Sequence, residues 1–154
     1  MRQRRTRGFT LIELIMTMSI VAMLSSIAVP KFREVRRRAL AAQIMGDFDV
    51  LRHAALSFYV DSGYFPEPVG AGTPPPGLVR YLPNQFHFAK PLWTMNYESW
   101  AAGEAEVFEA AGTIAGVSFT TPDENLGRTA MSLIGNAPAL IQGGGTYTFL
   151  ISAF

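Results

Sequence analysis

Glu13 is the one charge among the 21 residues from Phe9 to Val29. A carboxylate inside an apolar run of that length marks function more than packing, because an unpaired charge is costly in hydrocarbon and needs a cation brought to it. Other groups offer different chemistry. His53 follows Asp49 by four residues and adjoins Arg52, the spacing of a proton relay but also of an ordinary exposed helical pair, which is how it reads. His87 lies among Phe86, Phe88 and Pro91 without a second ligand nearby. Neither histidine is assigned to a metal or to catalysis. Asp123, Glu124 and Asn125 put three oxygen-bearing side chains side by side, without the spaced ligands of a calcium loop. Gly70 to Gly77 has the glycines of a phosphate cradle, but its three consecutive prolines remove amide donors and no P-loop lysine follows, so it reads as a surface loop. Gly-x-Ser-x-Gly and His-Glu-x-x-His patterns are lacking. The expectation is a protein that is not an enzyme and holds no cofactor, calcium being the one considered.

The element that must position Glu13 is a helix. Twenty-one residues at about 1.5 Å each give roughly 32 Å, the hydrocarbon thickness of a bilayer. A secretory signal peptide also has a basic start and an apolar middle, and Ser25-Ser26-Ile27-Ala28 imitates a cleavage site. The run is longer than such a peptide needs, and Glu13 is out of place in one. No cysteine occurs, so these residues supply neither a disulfide nor a lipoprotein thiol.

Charge is distributed unevenly behind a net value of +1. The first 38 residues hold nine of 13 basic residues and two of 12 acids; residues 39–154 carry a balance of −6. That outer part is a poor partner for nucleic acid, which is bound largely by phosphate neutralisation. Arg2, Arg4, Arg5 and Arg7 precede the span, and Lys31, Arg33, Arg36, Arg37 and Arg38 follow it, so counting positive charges leaves orientation close to a tie.

Gly8-Phe9-Thr10-Leu11-Ile12-Glu13-Leu14, with the basic leader before it and Pro30 after it, resembles the leader junction of type IV prepilins and of type II secretion pseudopilins. The resemblance implies a leader at residues 1–8 and a membrane-embedded prepilin peptidase that cuts between Gly8 and Phe9 and methylates the new amino group of Phe9. It also implies the topology: a cytoplasmic leader, one pass through the bacterial inner membrane, and a periplasmic remainder. Glu13 would then pair with the α-amino group of Phe9 on a neighbouring copy as helices pack into a filament. Register is the safer role for such a pair, since desolvation offsets much of its Coulomb gain. The expected partners are the peptidase, other pilin subunits, an inner-membrane assembly platform and membrane lipid, with no nucleic acid. Some pseudopilins bind calcium in a loop of the outer domain, and the resemblance makes Asp123, Glu124 and Asn125 the nearest candidates here, although the expected helix cap already accounts for two of them. Many type IV pilins close their C-terminal region with a disulfide; the absence of cysteine moves the expectation toward type II secretion, with a type IV pilus subunit as the alternative.

Beyond Pro30, where a kink or local loosening is expected, Leu40, Ile44, Phe48, Leu51, Ala55 and Phe58 form a helical stripe, with Gln43, Asp47, Asp49, Arg52 and His53 largely off it. Helix 9–60 therefore divides into a transmembrane part, 9–29, and an amphipathic stem, 30–60. Asp61-Ser62-Gly63-Tyr64-Phe65-Pro66 ends it, with Gly63 as the cap, and resembles the turn after the long helix of many pseudopilins. A Pro/Gly-rich loop covers 61–84, and 85–154 form a globular part. There Phe86, Phe88, Trp93, Tyr97 and Trp100 read as core. Ala115, Val117 and Phe119 form one face of a strand within 113–121. Thr121 is expected to cap a helix with Pro122 first and Glu124 closing a capping box, running to Ile134 and ended by Gly135. Residues 139–142 and 146–153 read as a hairpin around Gly143 to Gly145, with Tyr147, Phe149 and Ile151 on one face. The fold class is α+β: a long N-terminal helix packed on a small antiparallel sheet with one short extra helix, a pilin-like arrangement.

Overall fold

A computed structural model describes residues 8–100, 114–134, 139–142 and 144–153. The chain divides into two units, 1–37 and 38–154. The leader arginines, Gly135 and Gly143 lie outside the described residues.

In the first unit, helix α1 (Leu11–Ser62) begins. Its apolar side chains stay exposed from Leu11 to Val35, and it is apolar and long enough to cross a membrane. Hydroxyls within the run bond to the helix's own carbonyls: Thr17 Oγ1 donates to Leu14 O at 2.9 Å, Ser19 Oγ to Ile15 O at 2.8 Å and Ser26 Oγ to Met23 O at 2.7 Å. Such self-satisfaction is what a helix crossing hydrocarbon would need for its polar groups. The helix runs unbroken through Pro30. What the proline changes is local: its missing N–H leaves the Ser26 carbonyl without an i+4 donor.

In the second unit the remainder of α1 buries Ala41, Ile44, Phe48, Leu51, Ala54 and Ala55, with Leu40 and Phe58 half-buried at the margins of the expected stripe. Asp47 is also buried, at 9% exposure, and so lies on the packed face and not off it. The reason is arithmetic: Asp47 stands three residues after Ile44 and four before Leu51, one side of a 3.6-residue turn. The helix stops where Gly63, at φ 80°, donates its N–H to Tyr59 O at 2.8 Å, a left-handed cap that a Cβ would strain.

A short 3-10 turn (Val79–Tyr81) leads on to the strands, four among the described residues: β1 (Thr94–Trp100), β2 (Ile114–Thr120), β3 (Ala139–Gln142) and β4 (Thr146–Ala153). They form one antiparallel sheet in the order β1-β2-β4-β3. Met95, Phe119 and Tyr147 share one rung, and Tyr97, Val117 and Phe149 another. All six are buried, and with Ala115 and Ile151 they make the core face. Phe48 of α1 meets Phe149 edge-on at 5.2 Å between ring centroids, and Phe119 stacks on both Tyr147 and Phe149. Phe88, Trp93 and Tyr97 thus supply core as expected, with Phe86 half-buried against it. Trp100 does not: it is half-buried and lies over Gly116, outside the core cluster, because it alternates with Met95 and Tyr97 along the strand. That strand, β1, is a feature the sequence did not reveal.

Helix α2 (Glu124–Leu133) begins differently from expectation. Asp123 is its N-cap, accepting from Asn125 N at 3.0 Å and Leu126 N at 3.2 Å. Thr121 is taken up elsewhere: its Oγ1 donates to Leu92 O at 2.9 Å and accepts from Asp123 N, and its N–H donates to Gly145 O. Pro122 consequently precedes the helix, and Glu124 pairs with Arg128 at 2.6 Å where a capping box would have turned it back to Thr121. Ile134 is the C-cap, one residue beyond the last helical position.

Candidate functional site

Two polar clusters stand out among the described residues, one at the head of α1 and one in the second unit. At the head, Thr10 and Glu13 engage reciprocally. Glu13 Oε2 accepts from Thr10 N at 2.9 Å and Thr10 Oγ1 at 2.8 Å, while Thr10 Oγ1 accepts from Glu13 N at 3.3 Å. Leu14 N closes the first turn onto Thr10 O at 3.2 Å. This is a capping box, in which a hydroxyl residue and a glutamate three positions on satisfy amides that a helix start leaves free. Sequence reasoning missed it, although Thr-x-x-Glu before an apolar run is its signature. Glu13 therefore has a job within its own chain, and its carboxylate is held in place at the first turn.

Phe9 is 82% exposed, and Gly8 before it is exposed too. A Cβ on Gly8 would meet nothing within 4 Å among the described residues. Pro30, the other expected assembly residue, sits in the same exposed helix.

In the second unit, Asp47 holds a compact polar cluster. Lys90 Nζ lies 2.8 Å from Oδ1 and 2.6 Å from Oδ2, and Trp93 Nε1 donates to Oδ2 at 3.1 Å. The Lys90 ammonium also stands 5.2 Å from the Trp93 ring centroid, and Lys90 N donates to Trp93 O at 2.9 Å. Each charge is matched and little exposed, a joint between helix and loop more than a reactive group.

The remaining candidates do not converge. His53 Nδ1 donates to Asp49 O, and His87 Nδ1 to Gln85 O, both at 2.7 Å. Asp123 and Glu124 are engaged as cap and ion pair, and Asn125 O accepts from Thr129 Oγ1. Among the described residues no group of three or more His, Asp or Glu side chains is gathered as a metal-ligand set. Burial pushes the Tyr97 hydroxyl pKa well up, and the bond from Tyr81 to Asp61 at 2.5 Å raises that of Tyr81.

A capped, exposed apolar helix followed by a small antiparallel sheet with a short helix is a pilin-like arrangement. Residues 3–29 match the model of the prokaryotic N-terminal methylation motif, so the chain carries the prepilin-type N-terminal segment. It is similar to a type IV major pilin protein PilE1 of Neisseria gonorrhoeae, with 31% identity over 70 residues, 44% of this chain and 33% of the relative. It is also similar to prepilin peptidase-dependent protein D of Escherichia coli K12, with 32% identity over 80 residues, 51% of this chain and 55% of the relative. The chain thus spans between a third and just over half of the length of these curated relatives. No solved structure matches it.

Proposed function

We propose that the chain is a structural subunit, cut between Gly8 and Phe9 and N-methylated at Phe9 by a prepilin peptidase, which assembles through its N-terminal helix into a filament serving type II protein secretion. Before assembly it sits in the bacterial inner membrane with its C-terminal part in the periplasm. The observation that carries the reading is Glu13: an acid held at the first turn of an exposed apolar helix, inside a match to the N-terminal methylation motif. In a filament core its charge would set register against the Phe9 amino group of a neighbouring copy. The work is mechanical, driven by subunits added at an assembly platform, with no catalytic role for the chain.

The secretion reading is supported by the absence of cysteine. A type IV pilus subunit is the second reading, favoured by the similarity to a type IV major pilin. Deleting the gene separates them. Loss of exported proteins from the medium with surface pili intact supports secretion; loss of pili with export intact overturns it.

A further inference from the structure

Lys31, Arg33, Arg36, Arg37 and Arg38 follow the apolar span within nine residues, with Glu34 as the one acid among them. At about 100° per residue they fall near 0°, 200°, 140°, 240° and 340° around α1, so no arc wider than about 140° lacks a cation. Lys31, Arg33, Arg36 and Arg38 are exposed and Arg37 is half-buried; Lys31 pairs with Glu34 at 3.0 Å. This is a collar and not a face.

We propose that the collar is a binding site for anionic phospholipid headgroups of the outer leaflet, a function that rests on the reading that Phe9–Val29 crosses a bilayer. Chain continuity places it there. Lys31 stands about 3 Å beyond Val29 and Arg38 about 13 Å, whereas the headgroup layer occupies roughly the first 5–8 Å outside the hydrocarbon. Long side chains and a Debye length of about 8 Å bring the farther members into range. The acidic remainder of a second copy, with a balance of −6 over residues 39–154, is the rival anion. A protein face meets one side of a helix, while a headgroup layer surrounds it, and the all-round spacing fits the latter. Cleavage sharpens the effect. Removing residues 1–8 takes Arg2, Arg4, Arg5 and Arg7 from the inner side, so between Phe9 and Arg38 every basic residue lies beyond the outer end of the span. The processed subunit then carries its side-chain cations near the membrane only at the outer end, with the Phe9 amino group the one cation left at the inner end.

The test uses the processed full-length chain reconstituted in phosphatidylcholine vesicles doped with spin-labelled phosphatidylglycerol or spin-labelled phosphatidylcholine. Electron paramagnetic resonance should show phosphatidylglycerol restricted by the protein about threefold more than phosphatidylcholine, or better, at low salt. That preference should collapse toward equality in 1 M NaCl and in the Lys31→Gln/Arg33→Gln/Arg36→Gln/Arg37→Gln variant. Equal restriction of both probes by the unaltered chain overturns the proposal. If cross-linking between copies is then lost in the variant, the collar belongs to a neighbouring subunit. Restriction of neither probe would mean that the helix is not in the bilayer, a failure of the membrane reading itself.

Discussion

Asp47 and Lys90, 43 residues apart, meet as a nearly buried ion pair with Nζ within 2.8 Å of both carboxylate oxygens. Trp93 Nε1 completes the set, so the stem of α1 is tied to the turn that leads into β1. Truncating Asp47 leaves an ammonium and an indole N–H without their acceptor.

Asp47→Ala should therefore lower stability by about 2–4 kcal/mol. Lys90→Met in that background should restore at least half of the loss, since no charge is then left unpaired. Urea unfolding of the full chain in detergent, followed by tryptophan fluorescence, measures both. Additive losses in the double variant would count against the pair.

Tyr97 is 1% exposed, and its hydroxyl has no hydrogen-bond partner among the described residues. Tyr97→Phe should leave stability unchanged or raise it by about 1 kcal/mol near neutral pH. Burial raises its pKa in the folded state, so the unfolded chain loses the phenol proton first as pH passes about 10. Stability should fall above that pH, and the variant should lose about 1.4 kcal/mol less per pH unit there. Denaturation curves from pH 8 to 11 would show this as a shallower alkaline decline.

Gly127 lies inside α2, where alanine ordinarily gains about 1 kcal/mol. Here an added Cβ would overlap the ring of Tyr147, which is 2% exposed and stacked on Phe119, so it has nowhere to move. Gly127→Ala should destabilise by about 1–3 kcal/mol. A rise in unfolding temperature would show that the ring yields.

The proposed assembly role of Glu13 can be separated from its role as a cap. Glutamine also serves in a capping box, so Glu13→Gln keeps the helix start while removing the charge. Processing at Gly8 should continue and filament assembly should fail, as read from N-terminal sequencing and from sheared filament yield. Normal assembly of that variant would reduce Glu13 to a cap. Thr10→Ala is expected to assemble more nearly as the unaltered chain does.

Much of this arrangement was legible because periodicity and punctuation act locally. The α1 stripe, the Gly63 cap, the core face of β2 and the closing hairpin follow from spacing and turn residues alone. What escaped depended on partners far along the chain. Thr121 has the residues of a helix cap around it, yet Leu92 and Gly145 claim its hydroxyl and amide, and Asp123 takes the cap. Strand β1 was hidden because aromatic density around Trp93 and Tyr97 obscured the alternation that Met95 and Tyr97 show once buried. Asp47 read as lying off the buried stripe until Lys90 stood opposite it. The capping box at Thr10 was the exception, a local signal overshadowed by the question of what Glu13 does in a membrane.

Processing at the junction underlies the whole functional reading, and intact mass with N-terminal sequencing of the protein recovered from membranes tests it most directly. The expected product begins at Phe9 and carries one added methyl group. A chain that still begins at Met1, or one that begins after Ala28, would contradict it.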